Sequence, residues 1–178
     1  MIILIDWETT NLTLHPDAAL EKQPRCIEFG GVKLDPATGD IVDELSQLIN
    51  PGCEISAEIT KITGITNEQL VGQPTFEEFL PTLRAFFTGS TCVVAHNCPF
   101  DKAITMHALK RAGVTDFPWP EKELCTVGIY KETWGRNPKL LELYADVMGK
   151  PLAQTHRALD DVKALTEIFQ KEDLCQLI

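Results

Sequence analysis

Hydrophobic and polar positions along this chain follow two periods, two for strands and between three and four for helices. Residues 2–6 (IILID) form a continuous apolar run ending in a carboxylate, the pattern of a central strand covered on both faces. Residues 26–34 (CIEFGGVKL) and about 41–49 (IVDELSQLI) predict two more strands. The turn formers Asp35-Pro36-Ala37-Thr38-Gly39-Asp40 between them predict a hairpin. Residues 51–75, broken by Gly, Pro and Thr, hold only short helices. Phe76 to Phe87 has helical spacing despite Pro81, and TCVVA at 91–95 is another buried strand. Pro99 to Ala112 is a helix, with proline near its first turn and Gly113 just beyond it. Further helices are expected at about 124–134, 139–148 and 157–170. The order βββαβα, then helices, indicates an α/β fold with a hairpin at one end of the sheet.

Candidate chemistry sits at three places in this pattern. Asp6 and Glu8, two apart at the carboxyl end of the first strand, point to one face. Open α/β sheets place their sites at that end. His96-Asn97-Cys98-Pro99-Phe100-Asp101 follows a buried strand and opens a helix, with Asp101 in its first turn. Phe100, Ile104 and Ala108 mark that helix's apolar face, and Asp101 lies at its edge. Thr155-His156-Arg157-Ala158-Leu159-Asp160-Asp161 opens the last helix, whose core stripe is Ala158, Val162, Leu165 and Phe169. Asp161 shares a face with Leu165 and Ile168 and leans toward the sheet. Asp160 shares a mostly solvated face with Lys163, Ala164 and Glu167. His156, five residues before Asp161, falls off the helix face and into the preceding loop, where a histidine can act as a general base. Four acids brought together repel unless divalent cations sit between them. An all-oxygen site fits Mg²⁺, with Mn²⁺ able to substitute, and points to phosphate chemistry.

Composition narrows this further. At 178 residues, 44% hydrophobic and 24% charged, one domain is expected, spanning 1–178. No apolar run approaches a membrane span, and MIILID lacks the basic start of a signal peptide. The six cysteines show no CxxC pair and read as reduced thiols of a cytoplasmic protein. The net charge of −10 argues against tight counterion-release binding of long nucleic acid and favours a short footprint.

Taken together, Asp6 and Glu8, then Asp101, then His156 with Asp161 resemble the three motifs of the DEDDh branch of 3′→5′ exonucleases, in the right order over nearly the whole chain. The tyrosine branch would carry Tyr four before the last aspartate, and position 157 is Arg. Ile62-Thr63-Gly64-Ile65-Thr66 and Lys139-Leu140-Leu141-Glu142-Leu143 resemble the segments before the second and third motifs. HNCPFD is closer to bacterial proofreading (epsilon-type) exonucleases than to oligoribonucleases.

The resemblance implies a ribonuclease H-like fold: a five-stranded mixed sheet flanked by helices, with the second strand antiparallel to its neighbours. It implies hydrolysis of phosphodiester bonds at 3′ ends with release of nucleoside 5′-monophosphates. Asp6, Glu8 and Asp161 would hold the cation that carries the attacking water, Asp6 would bridge to a second cation, and Asp101 would bind that one. His156 would take the water's proton. Thr9 would contact the terminal 3′-hydroxyl, Ile62, Gly64 and Ile65 would lie against the terminal base, and Asn97 and Phe100 would position the second motif. Trp7 alternates with the acids and is assigned to packing. The expected substrate is single-stranded DNA or frayed 3′ ends, in proofreading or repair, with a polymerase or replication complex as partner, although no polymerase-binding tail follows the last helix. Two alternatives stand beside it: an exoribonuclease or oligonucleotide nuclease of the same branch, and a non-catalytic binding module.

Overall fold

Alternation along the first strand decides how the layers are arranged. The structure, a computed structural model, describes residues 1–178 except 14, 16, 17 and 154. In β1 (Ile2–Thr9) the odd positions Ile3, Ile5 and Trp7 enter one apolar cluster. The even positions Ile2 and Leu4 enter another on the opposite face. Because successive side chains alternate, Asp6 and Glu8 continue the second face. β2 (Cys26–Leu34) and β3 (Ile41–Leu48) form the expected hairpin, and β2 is antiparallel to both β1 and β3. β4 (Cys92–Ala95) and β5 (Lys122–Cys125) lie parallel on the other side, giving the sheet order β3-β2-β1-β4-β5.

The layer over the odd face is built from α3 (Phe76–Phe87) and α4 (Cys98–Arg111), packed on Phe29 and Trp7. α3 starts on a capping box, Thr75 with Glu78, and carries Pro81 on its exposed side. The layer over the even face is built from α6 (Leu140–Met148) and α7 (Ala158–Lys171). Between β3 and α3 lie two short helices, α1 (Ala57–Thr63) and α2 (Asn67–Leu70). α5 (Thr126–Trp134) follows β5 directly, and 3₁₀ turns occupy Leu20–Lys22 and Leu174–Leu177.

β5 departs from the expectation of a helix beginning near 124. Its four residues, Lys-Glu-Leu-Cys, are half charged and too few to show a period of two. As an edge strand it leaves Lys122 and Glu123 in solvent, so its pattern merges with the polar first turn of a helix. The strand is fixed by its pairing with β4, from Cys92 opposite Lys122 to Ala95 opposite Cys125. Among the described residues, no helix is long and apolar enough to cross a membrane.

Candidate active site

β1 pairs with β4 only from Ile2 to Leu4. Its last residues therefore run on past the parallel partner, and Asp6 and Glu8 stand where the sheet opens. From the even-face layer, the first turn of α7 brings in Asp161, which is 7% exposed. Oxygens of Asp6, Glu8 and Asp161 lie within 4.8 Å of one another. Asp160, one residue earlier, is exposed and accepts from the Thr155 hydroxyl at 2.7 Å. The helix period therefore separates the two aspartates as expected, although Ala164 on the Asp160 side is itself buried.

Asp101 is not at the margin of its helix face. It is 2% exposed, its Oδ1 is buried without a hydrogen-bond partner, and it stands outside the three-carboxylate cluster. Its neighbour Thr105 donates to the Asp101 carbonyl at 2.8 Å within α4 and accepts from Trp7 Nε1 at 3.0 Å across to β1. The backbone N–H of Trp7 also bonds Asp101, so this side of α4 lies against β1. Trp7 thus packs on the face opposite Asp6 and Glu8, as its parity predicted.

Burial and mutual repulsion set the protonation of this centre. Burial first, then Asp161 and Glu28, raises Asp6 from 3.8 to about 8. Burial first, then Asp6, Asp161 and Glu28, raises Glu8 from 4.5 to about 9, with Arg157 opposing. Burial and the nearby Asp6 push Asp101 well above the usual carboxylate range, against hydrogen bonds from backbone N–H groups. The residues fit a hard divalent cation. Three carboxylate oxygens converge, a fourth acid has an unpartnered buried oxygen, and the acids are costly to ionise without an added positive charge.

His156 lies in the short approach to α7, half-buried, with a left-handed backbone (φ 51). His96 has both ring nitrogens occupied, Nδ1 with Thr126 Oγ1 at 2.9 Å and Nε2 with the Pro138 carbonyl at 3.0 Å. It ties the second motif to α5 and the chain before α6, and burial lowers its pKa.

Beside the acids runs a groove of about 370 Å³ lined by residues 7–12 and by Ser56, Glu58, Ile59, Ile62, Thr63 and Phe100. Ile62 (47% exposed) and Phe100 reach it. Ile65 does not: it is 1% exposed and belongs to a separate cluster with Ile27, Ile55 and Leu70. Gly64 also falls outside the lining and ends α1 in the left-handed conformation, at φ 71. One turn of α1 thus gives the groove Ile59, Ile62 and Thr63, and the chain reversal at Gly64 turns Ile65 inward. Thr9 lines the groove, but its hydroxyl donates to the Asn11 carbonyl at 2.6 Å, holding the turn after β1. Asn97 is exposed at the α4 N-cap, where its side chain makes no capping bond.

Sequence reasoning missed Glu28 and Arg157. Glu28 on β2 sits in register opposite Glu8, is 1% exposed, and pairs with Arg157 at 2.6 Å. Its only signal was a charged residue within an apolar strand run.

The arrangement has counterparts among known proteins. An exonuclease family model, RNase_T, matches residues 3–169. DNA polymerase III PolC-type from Thermotoga petrophila is 33% identical over 167 residues, covering 94% of this chain and 11% of that protein. The chain thus spans about a tenth of the PolC-type relatives. DNA polymerase III subunit epsilon from Aquifex aeolicus is 32% identical over 170 residues, covering 95% of this chain and 78% of that one. The nuclease domain of 3′hExo, a DEDDh family member solved bound to rAMP, shares the fold with a TM-score of 0.77 at 21% identity, over 98% of this chain and 92% of that one. Exonuclease X, solved with 5′ overhanging duplex DNA, gives 0.67 at 24% identity, over 97% and 93%. The chain belongs to the RNase_T family of exonucleases.

Proposed function

We propose that this protein removes nucleotides stepwise from the 3′ ends of single-stranded or frayed DNA, releasing nucleoside 5′-monophosphates, with Mg²⁺ or Mn²⁺ held by Asp6, Glu8, Asp161 and Asp101. The observation that carries this reading is the convergence of three carboxylates, of which Glu8 also lines the adjoining groove. When bound, the cations supply neutralisation of phosphate charge and a lowered pKa for the attacking water. Asp6, Glu8 and Asp161 bind that charge and fix its place between the β1 end and α7. The buried Asp101 adds a fourth oxygen donor from α4. His156 takes the water's proton through a ring nitrogen. Ile62 and Phe100 offer apolar surface to the terminal base, a contact tolerant of sequence. The backbone around Thr9 meets the terminal 3′-hydroxyl, because the Thr9 side chain is already engaged.

The relatives named as polymerase III proteins motivate a proofreading or repair role beside a polymerase. The net charge of −10 favours short stretches of substrate and reliance on such a partner for hold. A 5′-labelled oligonucleotide tests the reaction, presented as single-stranded DNA, duplex DNA and RNA of one sequence. The expected result is a ladder of single-nucleotide steps, dependent on Mg²⁺ or Mn²⁺ and fastest on single-stranded DNA. Internal cuts would refute exonuclease action, and preference for RNA would establish the ribonuclease reading.

A further inference from the structure

Glu28 is the acid that the motif leaves unexplained. By position it should be a fifth ligand, since it stands across from Glu8 on the same sheet. Its contacts exclude that. Oε1 accepts from Arg157 Nη2 at 2.6 Å and from Nε at 3.1 Å, while Oε2 accepts from Arg157 Nε at 3.0 Å and from the Ala158 backbone N–H at 3.0 Å. A carboxylate has about four lone-pair directions, and these contacts take up both oxygens. Accordingly, Glu28 stands outside the cluster formed by Asp6, Glu8 and Asp161.

These contacts fall on the two residues that follow His156. The cap position of α7 is Arg157, which makes no side-chain cap of its own. Ser, Thr, Asp or Asn ordinarily cap a helix start. Here Glu28 supplies the acceptor from β2, and its charge suits the helix N-terminus. Two residues further along the same strand face, Gly30 leaves room for this docking. A Cβ there would lie 2.3 Å from the Ala158 carbonyl carbon and 2.4 Å from the Leu159 nitrogen. β2 is thus shaped twice, by an acid and by a missing side chain, to seat the first turn of α7. The left-handed backbone of His156 is sparsely populated for a residue with a side chain and persists where its surroundings hold it. The seat supplies that restraint from the C-terminal side. Glu28 is buried while the Arg157 side chain is 40% exposed, and an ion pair with a desolvated partner contributes orientation more readily than net stability.

We propose that Glu28 and Arg157 are positioning residues: they clamp the start of α7 so that His156 is presented to the reacting centre, and neither binds cation or substrate. The proposal rests on the exonuclease reading, with His156 as base. Arg157→Gln should lower kcat about 10–100-fold, the usual cost of removing a group that orients a catalytic one, with KM for the oligonucleotide unchanged. Mn²⁺ affinity, measured by calorimetry without substrate, should fall clearly less than kcat, since the ligand carboxylates themselves are kept although Arg157 lies near Glu8 and Asp161. In a His156→Ala background the same substitution should cost less than about twofold, because it acts through the histidine. Glu28→Gln keeps the volume and one acceptor oxygen, and should show a smaller loss that also vanishes in that background. Without any turnover, hydrogen exchange at the Ala158 amide should accelerate about tenfold or more in Arg157→Gln, while the far-UV circular dichroism is retained. Equal losses with and without His156, a raised KM at constant kcat, or Mn²⁺ affinity lost in step with kcat would each overturn the clamp. A wild-type protein without metal-dependent nuclease activity fails the functional reading and takes the proposal with it. An active wild type with Arg157→Gln at full speed fails the clamp alone.

Discussion

Removing divalent cation near neutral pH should leave protons on the acidic centre, and the structure sets how many. Burial, with repulsion from Asp161 and Glu28, puts Asp6 at about 8. Burial and the neighbouring acids put Glu8 at about 9. At pH 7 the two together hold roughly two protons that ordinary carboxyls would have released. A cation needs the carboxylate forms, so its binding should expel about two protons from Asp6 and Glu8. A further one should leave Asp101, which burial also keeps protonated, if that acid joins the ligands. Stability carries the same sign. Both pKa values are raised on folding, so between about pH 4 and pH 9 the folded state binds more protons than the unfolded one. The cation-free protein should therefore lose stability as pH rises through this window. Two protons correspond to about 3 kcal/mol per pH unit, a ceiling of about 5 kcal/mol between pH 6 and 8. Water reaching the half-buried Glu8 reduces this to about 2–3 kcal/mol, or about 5–10 °C in Tm for a chain this long. Calorimetric titration of Mn²⁺ in two buffers of different ionisation enthalpy counts the protons, and melts with chelator at pH 6, 7 and 8 give the slope. An Asp6→Asn, Glu8→Gln variant should flatten it. A binding enthalpy independent of buffer, or a Tm that climbs from pH 6 to 8, would refute the reasoning.

Three further outcomes follow from single contacts. Gly30→Ala puts a methyl against the Ala158 and Leu159 backbone, which cannot turn aside, and should cost about 2–3 kcal/mol in urea unfolding and most of the nuclease activity; a neutral variant would mean that α7 is not seated as described. Trp7→Phe removes the indole donation to Thr105 and should cost about 1–2 kcal/mol by denaturant unfolding; an unchanged midpoint would show that the bond is replaced by water. Asp160→Asn should keep kcat/KM within about twofold, whereas Asp161→Asn should lower it about 100-fold or more, and the reverse order would overturn the assignment of helix faces.

Much of the centre was legible in local periodicity. Parity along β1 placed Asp6 and Glu8 on one face and Trp7 on the other. Helical spacing separated Asp161 from Asp160 in α7, and the strand bounds of β2 were those of its apolar run. Segments built on few residues were harder to read. β5 has four residues and no period, and Ile65 differs from Ile62 only through the reversal at Gly64.

By itself, then, the sequence determined the order of the main elements along the chain and which acids share a face, because both follow from the spacing of side chains along one strand or helix. Only the tertiary structure decided the rest. Asp101 is buried where α4 meets β1, beside a Trp7–Thr105 bond between residues 98 positions apart. The engagement of Glu28 depends on Arg157, 129 positions away, and on the β1–β2 register that sets it opposite Glu8. Local hydrophobic spacing carries no information about which distant residue will face which. That is fixed when the strands pair and the helices settle on the sheet.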